Sequence, residues 1–514
     1  MTRPPSGNNK GNSSPHLNQK VPKRAWLSLA ILGSALLITM YGETMLLPAI
    51  PDIIKEFDIS YNTSSWILSA YLIAGAVATP VGGKLSDIYG RKKMVGIIMI
   101  IYIIGIFIGG FSTNIAFLLV ARVIQGIGIS MFPIAFGIIR DQFPRDKLAI
   151  GVGVFSSMFA AGSVVGLALG ANIIEHLGWR STFFSIVFVA IVLWFIIRRY
   201  IHDYSDSINT SKAIGLPNSE GLENNTTRVS NETKKITDSK NMDIKGAITL
   251  AVTIISFLMV LSYSQTGNVE NSIIAMYLSI GISSLLFFVI IERRSESPLV
   301  NFQLMRNKII LSANIILIIA FLGMFTVFQT IPVLVRSPQP LGFGENVVTT
   351  ASIQLPFMIV FLLFAPSSGV IVSKLGNVMP TLIGSFVSVG GFFGLFLFHW
   401  DGVVVAINLA IIAGGLSLMQ VGAFDIILQR TPKKFSGISL GMTVLFNLIG
   451  GSIGPAIAGI FMQTNQVFVN NLSSSFPSPN SYNLIFLTVA LTALIPLALS
   501  IFIRKSYPRE VPLE

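Results

Sequence analysis

The chain reads as an all-α membrane protein with fourteen spanning helices. Hydrophobic residues make up 52% of its 514 positions and charged residues only 11%, with a mean hydropathy of +0.73, more apolar length than a soluble core needs. That length arrives in blocks of about 20 residues, one bilayer crossing at 1.5 Å per residue. The Lys and Arg residues between the blocks gather in alternate loops, as basic residues do on the cytoplasmic side of a membrane.

The spans lie near 25–49, 65–83, 94–113, 116–139, 148–173, 181–201, 245–264, 272–291, 309–335, 347–373, 379–398, 402–428, 435–463 and 482–503. An error of one span would scramble the charge pattern. With both termini inside, Lys55, Arg180 and Arg336 are the only basic residues in outer loops, Arg122 lies within a span, and all others of the 35 fall inside, in runs such as Arg91-Lys92-Lys93. The net charge of +12 is therefore topology and attraction to anionic lipid headgroups, and nucleic-acid binding is not expected. Residues 1–24 are polar and lack a short apolar core with a small-residue cleavage site, so the first span serves as an uncleaved anchor of a multi-pass plasma-membrane protein.

Cysteine is absent, which excludes disulfides, thiolate metal sites and cysteine nucleophiles, and the 4 histidines show no metal-ligand spacing. No nucleophile–base or metal constellation is visible, so the chain is not read as an enzyme. No nucleotide motif or cofactor site is expected either, which leaves an ion gradient as the energy source. Residues 202–242, rich in Asn, Ser and Thr, cannot bury enough apolar surface to fold alone and read as a disordered cytoplasmic linker. Its Asn-x-Ser/Thr triplets at Asn209, Asn224, Asn225 and Asn231 lie on the inner side, where glycosylation is not expected.

The chain also repeats itself. Pro144, Gly153, Gly162 and Gly166 recur at one constant offset as Pro432, Gly441, Gly450 and Gly454. Eight spans separate the copies, an even number, so the two halves share their orientation in the membrane. The expected organisation is a tail at 1–24, a six-helix bundle at 25–201, a linker at 202–244, two inserted helices at 245–308, a second six-helix bundle at 309–503 and a tail at 504–514.

The loop after the second span reads GKLSDIYGRKK, Gly83 to Lys93. It is not a phosphate-binding loop, because Ala78 stands where the first Gly belongs and Leu85 follows Lys84. It reads instead as a tight turn, in which Gly83 and Gly90 permit close backbone approach and Asp87 can accept from Arg91 or a helix N-terminus. The loop resembles the signature between the second and third helices of the major facilitator superfamily, and SGVIVSKLG, Ser368 to Gly376, is similar to its degenerate second copy. LVARVIQGIG, Leu119 to Gly128, resembles the fourth-helix motif with its intramembrane arginine. Gly153, Gly162, Gly166 and Gly170 match the glycine spacing of the fifth-helix antiporter motif. MDIKG at Met242 and ERRSESPLVNFQLMRN at Glu292 are similar to stretches flanking the extra helices of fourteen-helix drug:proton antiporters. The resemblance covers nearly the whole chain and implies two six-helix bundles plus two helices, with Asp87 holding the halves together on the cytoplasmic side in the outward-open state.

Two positions depart from the family pattern. Leu167 and Ala171 replace a usual Pro and Gly in the fifth-helix motif, which softens the bend expected there. In the first span Gly42-Glu43-Thr44 places the acid one residue from its usual position, a turn of about 100° on a helix.

Glu43 is the first functional suspect, since a carboxylate in a spanning helix costs about 2.5–3.5 kcal/mol on insertion scales. Glu43 and Arg122 both lie about 10 Å below the outer surface at 1.5 Å per residue. As a pair facing one cavity they form a proton switch that hydration or substrate charge tips either way; the competing readings are a fixed buried ion pair or a snorkelling acid. Gly162, Gly166 and Gly170 are either close-packing residues or a hinge. Asp425, beside Gln429 and Arg430, is read as an interfacial residue or gate partner. Tyr41, Tyr71, Gln329, Gln354 and Asn447 are cavity candidates, each with helix packing as its alternative. The expected function is proton-coupled export of lipophilic or cationic small molecules by a monomer in contact with membrane lipids. The alternatives are a transporter of one metabolite, amino acid, siderophore or lipid, and a non-transporting sensor or scaffold acting through the linker.

Overall fold

Prolines decide where the long apolar blocks break. The computed structural model describes residues 21–144, 148–201, 244–263, 271–295, 298–432, 436–469 and 474–506. Three expected spans are interrupted, each just N-terminal to a proline whose ring opposes the carbonyl four residues earlier. The first span is α1 (Lys23–Thr44), a 3-10 turn at Leu47–Ala49 and the short α2 (Ile50–Phe57), with Pro48 behind the end of α1. The fourth is α5 (Ile115–Gly126), a 3-10 turn at Ile127–Ser130 and α6 (Met131–Gln142), with Pro133 opposing Ile129. The last is α17 (Pro479–Thr492) and α18 (Leu494–Ser506), with Pro496 opposing Thr492. Elsewhere Pro80, Pro332, Pro356, Pro366 and Pro455 are carried inside continuous helices, as neighbouring helices in a membrane allow.

The remaining helices of the first half are α3 (Tyr61–Tyr89), α4 (Arg91–Gly110), α7 (Leu148–Leu177) and α8 (Arg180–Tyr200). The insertion is α9 (Ile244–Tyr263) and α10 (Asn271–Arg294), and the short α11 (Phe302–Met305) leads into the second half. That half contains α12 (Lys308–Arg336), α13 (Val347–Leu375), α14 (Val378–Leu397), α15 (Gly402–Arg430) and α16 (Ser436–Thr464) before the last pair. Among the described residues 13 helices are long and apolar enough to cross a bilayer, and Lys245–Val260 within α9 is a shorter apolar helix at the seventh expected span. A two-stranded antiparallel hairpin, β1 (Gln466–Val469) with β2 (Ser474–Pro477), joins α16 to α17; four-residue strands carry too little pattern to be read from sequence. The expected linker up to residue 243, its glycosylation-like triplets and most of both tails lie outside the described residues.

The duplication is visible as one joint made twice. On α7, a Cβ at Gly162 would sit 2.3 Å from the Leu37 carbonyl oxygen, one at Gly166 2.3 Å from Thr44 Oγ1, and one at Gly170 2.8 Å from the Met45 carbonyl oxygen. On α16, a Cβ at Gly450 would sit 2.2 Å from the Ile318 carbonyl oxygen and one at Gly454 2.4 Å from that of Leu322. These glycines let α7 lie on the backbone of α1 and α16 on that of α12, which is close packing. Leu167 and Ala171 are fully buried, and α7 runs through them without a break.

The halves meet along two seams, α3 against α16 and α7 against α13. The inserted helices form a hairpin in which Ser284 Oγ donates to the Thr249 carbonyl at 2.7 Å and the rings of Tyr263 and Tyr277 stack 5.6 Å apart. Its α9 packs on both α3 and α16 and so covers the first seam.

Candidate functional site

Because α1 stops at Thr44, its last carbonyls have no donor within the helix. Arg122 of α5, fully buried, supplies one: Nη1 donates to the Gly42 carbonyl at 2.8 Å and Nη2 reaches the Glu43 carbonyl at 3.5 Å. Nε donates to the Ile67 carbonyl of α3 at 3.0 Å, and Nη1 also donates to Gln125 Oε1 at 3.1 Å. The guanidinium lies 4.5 Å from the centroid of the Tyr71 ring. A cation at a helix C-terminus is favoured by the helix dipole, and the ring face adds to that attraction. Tyr71 donates its hydroxyl to the Thr39 carbonyl at 3.2 Å, and Tyr102 of α4 donates to that of Ile38 at 2.8 Å. Side chains from α3, α4 and α5 thus fasten the end of α1.

Glu43 stands beside this nest without joining it. Arg122 acts on it through space, yet among the described residues no hydrogen bond or ion pair holds its carboxylate, and the residue is 7% exposed. The fixed buried ion pair considered from the sequence is therefore absent, because the guanidinium bonds to backbone carbonyls. The neighbouring Thr44 takes the α7 side, its hydroxyl donating to the Met40 and Ser163 carbonyls, both at 3.1 Å. Glu43, about 100° further round the helix, is left to another face.

The other cavity candidates divide. Tyr41 hydrogen bonds through its hydroxyl to Ser185 Oγ of α8 at 2.9 Å, a contact of the helix-packing kind. Tyr71 is fully buried in the Arg122 nest. In the second half Gln329 is fully buried, its Nε2 donating to Ser64 Oγ at 3.1 Å across the seam, while its Oε1 has no partner. Gln354 is 1% exposed and neither atom of its carboxamide has a partner. Asn447 is buried with its Oδ1 unpartnered. Beside them runs a ladder of rings: Phe321–Phe325 at 6.3 Å, Phe325–Phe328 at 5.6 Å, Phe328–Phe357 at 5.1 Å and Phe357–Phe361 at 6.0 Å between centroids.

The two ends of the molecule differ. At one end Arg336 forms an ion pair with Asp52, and the Tyr61 N–H donates to Gln463 Oε1 at 3.1 Å. Deeper along the same seam Ser69 Oγ donates to the Ser452 carbonyl at 2.7 Å. At the other end, apart from the backbone of their own helices, no described atom comes within 4 Å of where a Cβ would stand on Gly83 or Gly369, the matching glycines of the two signature loops. Among the described residues, the ion pair between the halves is the one at the Asp52 end. Gly90, at φ 93°, and Gly376, at φ 74°, adopt backbone conformations that L side chains rarely reach. The side chain of Asp87 lies outside the described residues. Arg91 pairs with Asp141 of α6. In the second half Asp425 accepts from Gln429 Nε2 at 2.7 Å and from the side chain of Asn377, which follows Gly376 as Arg91 follows Gly90. Asp425 is thus tied within its own half.

Sequence reasoning missed Asp52, Asp141, Gln125 and the aromatic ladder. Gln125 had a signal, lying three residues after Arg122 on one helix face. The ladder had one too, since Phe321, Phe325 and Phe328 share a face of α12, and Phe357 and Phe361 one of α13. Asp52 had none, because its partner is supplied by folding from the other half.

Two helical bundles related by duplication, joined by an ion pair at one end, with a buried acid and arginine inside the first, have the architecture of a membrane transporter. The chain belongs to the Major Facilitator Superfamily, whose model matches residues 32–455. It is 28% identical over 474 residues to "Multidrug resistance protein 3" of Bacillus subtilis (strain 168), covering 88% of this chain and 83% of that one. It is 24% identical over 450 residues to the "Tetracenomycin C resistance and export protein" of Streptomyces glaucescens, covering 85% and 76%. Among solved structures it is similar to the xylose transporter XylE from E. coli in a partially occluded inward-open conformation, with TM-score 0.60 and 12% identity over 94% of this chain and 98% of that one. The human organic anion transporter MFSD10 matches with TM-score 0.62 and 14% identity over 94% and 100%. These two likenesses concern the fold alone.

Proposed function

We propose that this protein is a proton-coupled exporter of lipophilic or weakly cationic small molecules, of the fourteen-helix antiporter type, working as a monomer in the plasma membrane with both termini cytoplasmic. The observation that carries the reading is Glu43, a carboxylate with no partner among the described residues, beside an arginine committed to backbone carbonyls and Gln125. Such an acid is free to exchange a proton, or the charge of a bound substrate, for the field of Arg122. Relatives bearing the names of multidrug resistance and export proteins support the substrate class.

With basic loops in the cytoplasm, the end tied by Asp52 and Arg336 is the outer one, and the state described here faces inward. Substrate enters from the inner side and Glu43 gives up its proton there. After the halves rock, the outer opening releases substrate and Glu43 is protonated again. The test is uptake of a lipophilic fluorescent cation into proteoliposomes under an imposed pH gradient. Wild type should accumulate the dye and Glu43→Gln should not; equal accumulation by both would remove Glu43 from coupling.

A further inference from the structure

Among the described residues of the second half, Gln354 is the one whose whole polar group is buried without a partner, a donor and an acceptor side by side. An amide buried this way is costly unless something bonds it. It lies seven residues from the outer end of α13, and Gln329, whose Oε1 is also free, lies seven from the outer end of α12, so both stand about 10 Å below the tied end. Below Gln354 on the same face of α13 follow Phe357 and Phe361, and below Gln329 on α12 follow Phe325 and Phe321. The Phe328 and Phe357 rings join the two rows edge to face at 5.1 Å. The ladder runs from Phe328 and Phe357, both nearly inaccessible, to the half-buried Phe321 and Phe361, over about 10 Å of helix.

We infer that Gln354 is the specificity-determining anchor of the substrate site, and that it selects flat aromatic molecules bearing an adjacent hydrogen-bond donor and acceptor, such as an imide, a lactam or a primary amide. The polar head pairs with the carboxamide of Gln354, and the ring body lies along the phenylalanines away from the tied end. Cation preference belongs to Glu43 in the other half; hydrogen-bond selection belongs to Gln354. This inference rests on the transport reading above, and it adds a discrimination that apolar pockets alone do not supply, since a site built to bond a donor rejects the analogue lacking it.

The experiment compares naphthalimide with its N-methyl derivative, fluorescent probes of one shape that differ in the imide N–H. Binding to the purified full chain is measured by fluorescence, beside dye uptake in the same preparation. Wild type should bind naphthalimide about tenfold or more tightly than the N-methyl probe. Gln354→Leu should bring the ratio to about one, with Gln354→Met as a second variant of matching length should the first fold poorly. Gln354→Asn, which keeps the amide, should restore part of the preference, an effect that lost packing would not produce. A wild type that binds both probes equally or neither, or a Gln354→Leu protein that keeps the ratio, overturns the inference. Absent dye uptake with intact discrimination would strike the export reading alone.

Discussion

In the first half, the glycines of α7 seat against α1, whose end bears Glu43 and is held by Arg122. In the second, the matching glycines of α16 seat against α12. Aligning the carbonyls that each glycine meets puts Met324 opposite Glu43; aligning Thr44 with Thr326 puts Phe325 there. The counterpart of Arg122 is Leu409 or Ala410, both in α15. The same joint thus carries charge once and apolar bulk once. At about 2.5–3.5 kcal/mol for each charged group placed mid-membrane, two copies would double a cost that one coupling site already meets. The half without charge presents an aromatic wall instead. The loop joints show the same contrast, an ion pair between Arg91 and Asp141 in one half and a neutral amide, Asn377, on Asp425 in the other.

The sharpest way to break this division is to disturb both sides of it. Arg122→Ala leaves the buried carbonyls of Gly42 and Ile67 without their donor, at about 1–3 kcal/mol each. We expect at least about a hundredfold loss of gradient-driven uptake and a lower melting temperature. Arg122→Lys should recover little, because a point charge cannot reach acceptors on two helices together. Leu409→Ala, in the matching place, should lower stability by about 2–5 kcal/mol through its cavity and leave uptake coupled to the gradient. Uncoupling by Leu409→Ala would erase the asymmetry.

Next in size are Gly166→Val and Gly454→Val. Each places atoms where a Cβ alone would meet Thr44 Oγ1 at 2.3 Å or the Leu322 carbonyl at 2.4 Å, so each should cost about 1–3 kcal/mol or more in thermal unfolding of the purified protein. Comparable losses confirm that the joint is shared; tolerance of one variant alone would mean it is not.

Asp141→Asn should slow uptake about fivefold and Asp425→Asn less, because only the first breaks an ion pair, and that pair is partly exposed. The reverse order of effect would show that the neutral joint is the working one. Smallest is Asp52→Asn, which releases one tie of the closed end. The absence of cysteine lets a single cysteine at Ser64 report that opening directly. Labelling by an impermeant maleimide from the outer side should rise about two- to fivefold; unchanged labelling would show that the remaining seam contacts hold the end by themselves.

Much of the fold was legible because span length and apolar periodicity are local properties. The glycine repeats at 162, 166, 450 and 454 announced the duplication, and the structure shows them making the same helix contact. The charged pair was legible as types and depth, though not as geometry. Nothing in the spacing of Glu43 and Arg122 shows that the guanidinium would turn to the end of α1, since that depends on Pro48 freeing carbonyls and on α5 passing beneath them. Tyr41 was legible as a residue type alone, because a tyrosine in a span looks the same whether it faces Ser185 or a cavity.

By itself the sequence determined the membrane class, the number and order of the apolar segments, the duplicated halves and the presence of an acid and an arginine at one depth, all set by composition, period and spacing along the chain. Only the tertiary structure decided that Arg122 holds backbone and leaves Glu43 unpaired, that Asp52 meets Arg336, and that Gln354 lies buried without a partner above a ladder of phenylalanines. Those facts depend on which faces of distant helices meet, and a helix face acquires a partner only when the packing of the whole bundle turns it toward one.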